Sequence, residues 1–158
     1  MRSLVALALA AIPLALAACN DGAQEDNAVE EQARSDISLE AGMLALPPVS
    51  GNPAALYFEL GNEGSEPLAL SGVTVTQADS AMMHDIVRED GAVRMVDMGP
   101  AMLASGQTLI FEPGGRHVMV MGLDPAVAAG DMVDVTLRFE NGREYSHQFE
   151  VLAAGEVR

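Results

Sequence analysis

The chain has 158 residues, enough for one domain with or without a targeting segment, and carries a formal net charge of −15 from 23 acidic and 8 basic residues. All the basic residues are Arg, and so acidic a balance argues against a nucleic-acid partner, whose phosphates need a surplus of cationic side chains. With 49% hydrophobic residues, ten Met, no Trp and a single Cys, the chain can build an aliphatic, Met-rich core, but no disulfide framework, Cys-type zinc site or iron–sulfur cluster of its own.

At the start of the chain, Arg2 precedes an apolar run from Leu4 to Leu16 that only Pro13 interrupts. At about a dozen residues it is too short to span a bilayer and reads as a signal-peptide core. The run ends in Leu16-Ala17-Ala18-Cys19, which resembles a bacterial lipobox. That likeness implies removal of residues 1–18 and lipidation of Cys19; the alternative is an ordinary Ala-x-Ala-like cleavage with Cys19 incidental. Residues 19–36 then form an acidic tether: from Asn20 to Asp36 the chain has six acidic residues, one Arg and almost nothing large and apolar. Such a segment cannot bury enough surface to offset the cost of ordering.

From Ile37 onward, short β-rich runs alternate with turn residues. The predicted strands are Ile37–Leu39, Ala54–Leu60, Ala69–Thr76, Met82–Arg88, Ala92–Asp97, Thr108–Phe111, His117–Met121, Val133–Glu140 and Tyr145–Val151. Between them lie Gly61-Asn62-Glu63-Gly64, Asp90-Gly91, Pro113-Gly114-Gly115 and Asn141-Gly142, the last being the strongest hairpin signal. No run outside the leader has a persuasive helical period. The expected fold over residues 37–158 is therefore all-β, an antiparallel Greek-key β-sandwich.

Side-chain parity within these strands gathers the soft donors. A hairpin centred on Asp90-Gly91 places Ile86 opposite Met95, so His84 and Met95 become diagonal neighbours on one face. In His117-Val118-Met119-Val120-Met121, His117, Met119 and Met121 share one face and the two Val the other. Imidazole and thioether together suit Cu(I), whereas zinc favours thiolate or carboxylate and calcium or magnesium favours oxygen. Because an imidazole must be deprotonated to ligate, affinity is expected to fall below about pH 6.5.

The spacing His84-x10-Met95-x21-His117-x-Met119 resembles the signature of the PCu(A)C-type periplasmic copper chaperones. The stretch from Phe111 through Pro113-Gly114-Gly115-Arg116-His117 to Gly122-Leu123 is similar to the family's most characteristic segment, and Tyr57 to Asn62 to its early strand. The likeness runs from about Ile37 to Glu150. It implies a cupredoxin-like sandwich with His84, Met95, His117 and Met119 as Cu(I) ligands in a solvent-near site at one end. It also implies a non-enzymatic carrier in the bacterial periplasm that hands copper to envelope acceptors, a thiol-bearing chaperone or a cytochrome c oxidase subunit, in oxidase assembly. Cys19 would tether it to the inner or outer membrane, and Asn20 leans toward the outer. Met43 stands where many members carry Trp, a difference expected to touch core packing. The ending Ala153-Ala154-Gly155-Glu156-Val157-Arg158 lacks the His- and Met-rich tail of some members, so no tail copper site is expected.

Other residues have plainer readings. Met82, Met83, Met98, Met102, Met121 and Met132 are expected as packing, with Met121 the likeliest spare donor and Met83 facing away from the site. His147 reads as a partly buried histidine, and Asp85 as a weak candidate for orienting His84. No nucleophile elbow, Walker loop or Rossmann loop is present, and a blue-copper centre would need a thiolate within the fold. The alternative to a copper carrier is a non-metal β-sandwich lipoprotein acting as an envelope binding or scaffold module.

Overall fold

A computed structural model describes residues 36–89 and 91–157. The leader, nearly all of the tether and Cys19 lie outside the described residues. Ten strands follow in chain order: β1 (Ile37–Ala45), β2 (Ala54–Asn62), β3 (Leu68–Val75), β4 (Ser80–Glu89), β5 (Ala92–Asp97), β6 (Ala101–Leu103), β7 (Thr108–Phe111), β8 (His117–Met121), β9 (Met132–Phe139) and β10 (Glu144–Leu152). The hydrogen-bonded order is β5-β4-β8-β2-β1-β10-β9-β3-β6, with β7 also on β2. The molecule is the expected all-β, cupredoxin-like fold.

One pairing departs from a purely antiparallel sheet: β1 and β10 run parallel, with Leu44 opposite Val151. Parallel neighbours need a long connection. Here almost the whole domain intervenes, so the first and last strands can close side by side in one direction. Strand β1 also extends well beyond the predicted Ile37–Leu39. Its register with β2 shifts between Glu40 and Met43, where Ala41 takes a positive φ of 53°. At the neighbouring Gly42 a Cβ would sit 3.0 Å from the Phe149 ring, so glycine lets the bulge lie flat against the core. The short strand β6, which pairs with β3, had no counterpart among the predicted strands.

The core is aliphatic and aromatic rather than Met-rich. All four Phe are buried, with Phe58 stacked on Phe111 at 4.4 Å between centroids and edge-on to Phe149 at 5.8 Å. Met83 is the one Met among the buried described residues, while Met98 packs at the core's margin. Met82, Met102 and Met132 are exposed, which corrects their reading as packing residues. Buried Asn62 donates from Nδ2 to the carbonyls of Glu66 (2.8 Å) and Leu103 (3.1 Å), and its Oδ1 accepts from the Gly64 N–H. It thereby ties the β2–β3 loop to the end of β6 through a satisfied polar group.

Candidate metal centre

Two strand pairings assemble the site. In β4–β8, His84 lies opposite His117 and Met82 opposite Met119; in β4–β5, Ile86 lies opposite Met95 and His84 opposite Asp97. Opposed residues project to the same face. The four sequence-selected residues therefore share the outer face of β5-β4-β8, while Val118 and Val120 turn inward and are fully buried. The β4–β5 register is the one expected from the sequence, and Gly91 has a positive φ of 78°. Met83 turns inward as expected, and half-buried Met121 follows Met119 on the outer face, opposite Ser80.

Met95, His117 and Met119 line one open cavity of about 310 Å³ together with Tyr57, Ile86 and Gly114. The His84 and His117 rings stand 5.9 Å apart between centroids, tilted by 59°. Both histidines are buried, at 6% and 8% exposure, whereas Met95 is 51% exposed on the outermost strand. Burial raises the Tyr57 hydroxyl above the ordinary tyrosine range near 10, so the cavity wall stays uncharged there.

Each imidazole has one nitrogen occupied and one free. His117 Nδ1 lies 2.9 Å from the Gly115 carbonyl oxygen. Since a carbonyl only accepts, Nδ1 carries the proton and Nε2 keeps its lone pair. His84 Nε2 lies 3.0 Å from Asp97 Oδ1, so it donates to the carboxylate and leaves Nδ1 as the lone-pair nitrogen. That Nδ1 is buried with no hydrogen-bond partner. A buried acceptor left unmet costs roughly 1–3 kcal/mol, and a soft cation would satisfy it. The donor set fits such an ion: two neutral imidazoles fixed through their far nitrogens and two thioethers. Among the described residues no group of three or more His, Cys, Asp or Glu is placed to hold a metal.

Three expectations change here. Asp85 does not reach His84: its Oδ2 pairs with Arg116 Nε at 3.3 Å and its Oδ1 accepts the Ile86 N–H. Asp97 orients the ring instead, a partner implicit in the hairpin register but not drawn from it. His147 is exposed rather than partly buried, with its ring stacked on Tyr145 at 6.4 Å. Met43 lies on the outer face opposite Tyr57, next to the core residue Leu44 and not in the core.

The family model described as "Putative lipoprotein LpqE-like" matches residues 37–151. The chain belongs to the LpqE-like family. A relative named "Putative lipoprotein Lxx21020", from Leifsonia xyli subsp. xyli, is 37% identical over 94 residues, which make up 59% of this chain and 56% of that protein. The chain spans about half the length of the curated relatives it matches. Among solved structures, the copper-bound PCuAC domain from PmoF2 superposes with a TM-score of 0.62 at 24% identity, over 75% of this chain and 93% of that one. Apo-DR1885 from Deinococcus radiodurans gives 0.60 at 25% identity with 100% of both chains covered. Its CuI form gives 0.54 at 25% identity over 77% and 78%. The LpqE-like fold is thus that of the PCuAC domains, as the motif-bearing stretch implied.

Proposed function

We propose that this LpqE-like protein is a Cu(I) carrier of the bacterial envelope, binding one ion through His84, Met95, His117 and Met119 and passing it on without catalysing a reaction. The observation that carries this reading is the register of β5-β4-β8. It puts both histidines on one face, each with a single free nitrogen, beside two methionines on the rim of the same cavity. The likeness to a copper-bound PCuAC domain and to CuI-DR1885 supports the same choice of ion.

Four neutral donors leave the site with the ion's own single positive charge, and a thiolate-bearing acceptor binds Cu(I) more strongly. Transfer then proceeds by ligand exchange on an open face, with exposed Met95 the donor an acceptor reaches first. Acceptors of this chemistry include a thiol-bearing chaperone and a cytochrome c oxidase subunit, and the role we propose is delivery toward oxidase assembly. Lipid on Cys19 would hold it at the inner or outer membrane, facing the periplasm, and the family's lipoprotein description supports that anchoring.

The test is an anaerobic Cu(I) competition titration on the chain from Asn20 onward, beside a His84→Ala/His117→Ala double variant. One tight equivalent is expected, weakened at least a hundredfold or so in the variant, since even outer-shell changes cost about 10–100-fold. Binding indifferent to both histidines would leave an envelope β-sandwich with no metal role.

A further inference from the structure

The face that carries the two histidines holds thioethers beyond the four-residue motif, Met82, Met121 and Met43, and of these Met82 is the one paired with a motif methionine. Met82 lies directly opposite Met119 in the β4–β8 register, two residue pairs along from His84 and His117, with the inward-facing Met83–Val118 pair between them. Opposed Cβ atoms stand about 4.5–5.5 Å apart, within span of one ion shared by two flexible thioethers. The adjacent Met83 fills the core, while Met82 is 44% exposed and takes no part in it. Strand β5 stops at Asp97, opposite His84, and so does not cover Met82. A cleft of about 230 Å³ opens there instead, bordered by Met82, Asp97 and Met98. Met95 and Met82 therefore flank the histidine pair from opposite ends, one toward the hairpin tip and the other toward this cleft.

We propose that Met82 is a further Cu(I) donor, exchanging with Met119 as the ion is loaded or released; the proposal rests on the copper reading above. The exchange balances simply. A bond from copper to the Met82 sulfur forms as the bond to the Met119 sulfur breaks, and the ion stays Cu(I). No proton or electron moves, because both donors are neutral thioethers. An ion shifted toward Met82 stands beside the uncovered cleft, where an acceptor can take it.

The test combines a double-variant cycle with a direct view of the sulfur. Anaerobic Cu(I) competition is measured on the full chain and on Met82→Leu, Met119→Leu and the double variant, leucine preserving bulk at both sites. If Met82 stands in for Met119, each single change weakens binding by about tenfold or less. The double change then weakens it at least about tenfold beyond the product of the two, because neighbours that replace each other are not additive. In parallel, with 13C-methyl methionine in Met119→Leu, the Met82 methyl resonance is expected to shift on adding one equivalent of Cu(I). Losses that multiply, together with an unmoved Met82 methyl, would overturn the proposal and leave Met82 a surface side chain. Failure of the unsubstituted chain to bind Cu(I) would instead overturn the reading beneath it.

Discussion

Two hairpins with similar local signals meet different fates. The turn at Asn141-Gly142 joins β9 to β10, and β4 pairs with β5 on either side of Gly91; each Gly has a positive φ, 83° and 78°. Along β9, Val133, Val135, Leu137 and Phe139 are all buried, alternating with exposed or half-buried neighbours. Along β5 every residue is exposed, including Val93 at 62% and Met95 at 51%. The difference lies in position: β9 sits between β10 and β3, whereas β5 ends the sheet and pairs with β4 alone. One hairpin holds the sandwich together, and the other is an exposed arm that carries Met95. The proposed carrier role would draw on this asymmetry, with buried histidines on β4 and β8 and one thioether on a strand free to give way.

The comparison breaks most visibly in stability. Leu137→Ala on β9 is expected to cost about 2–5 kcal/mol, the usual range for emptying a packed core site. Val93→Ala on β5 should stay within about 0.5 kcal/mol, as surface changes do. Denaturant unfolding of the two variants measures both, and comparable losses would show that β5 is packed rather than free. Copper binding should reverse the order. Met95→Leu is expected to weaken Cu(I) binding by about 10–100-fold while shifting the unfolding midpoint little, and Leu137→Ala, if still folded, to leave affinity nearly unchanged.

A smaller effect is expected at Asp97, which touches the ion only through His84. Asp97→Ala removes the acceptor that holds His84 Nε2–H, and should weaken Cu(I) binding by about tenfold. Asp97→Asn keeps an oxygen acceptor and should recover most of that loss. Nitrogen chemical shifts of the His84 ring in the copper-free protein supply a second readout, expected to move with Ala more than with Asn.

The same hairpins show how much of the molecule was legible in the sequence. Strands β5, β7 and β8 have the predicted bounds, because Asp90-Gly91 and Pro113-Gly114-Gly115 punctuate them sharply. The face shared by His84 and Met95 was also legible, since a turn fixes register and register fixes face. Cover was not. Parity says that Met82 and Met83 point oppositely but not which of them the core covers. The same gap led Met102 and Met132 to be read as packing and His147 as partly buried. The continuation of β1 was hidden because Ala41 adopts a conformation unusual for a residue with a Cβ, and only the Phe149 ring, distant in sequence, explains Gly42. Asp97 is a different case: the pairing that matches Ile86 with Met95 also matches His84 with Asp97, but register does not say that so exposed a carboxylate reaches the ring.

The finest discrimination comes from the two turn glycines. A Cβ added at Gly91 or Gly142 would meet nothing within 4 Å, so alanine at either carries a backbone cost alone, about 1 kcal/mol or somewhat more for positive φ. Because the local penalties match, any difference in outcome reports how each hairpin is coupled to the rest of the fold. At Gly142 the neighbouring strand is anchored by Leu137 and Phe139, so opening the turn strains the core and the cost should appear in global unfolding. Near Gly91 the described residues Glu89 and Ala92 are exposed, and the arm can open while the sandwich stays closed. Native-state hydrogen exchange is then expected to show faster exchange at the paired amides from Val87 to Arg94 in Gly91→Ala, with Val135 and Leu137 unchanged. Gly142→Ala should lower protection in the core itself. Equal global losses in the two variants would mean that the arm unfolds only with the sandwich, and Met95 would then be held as firmly as the donors on β8.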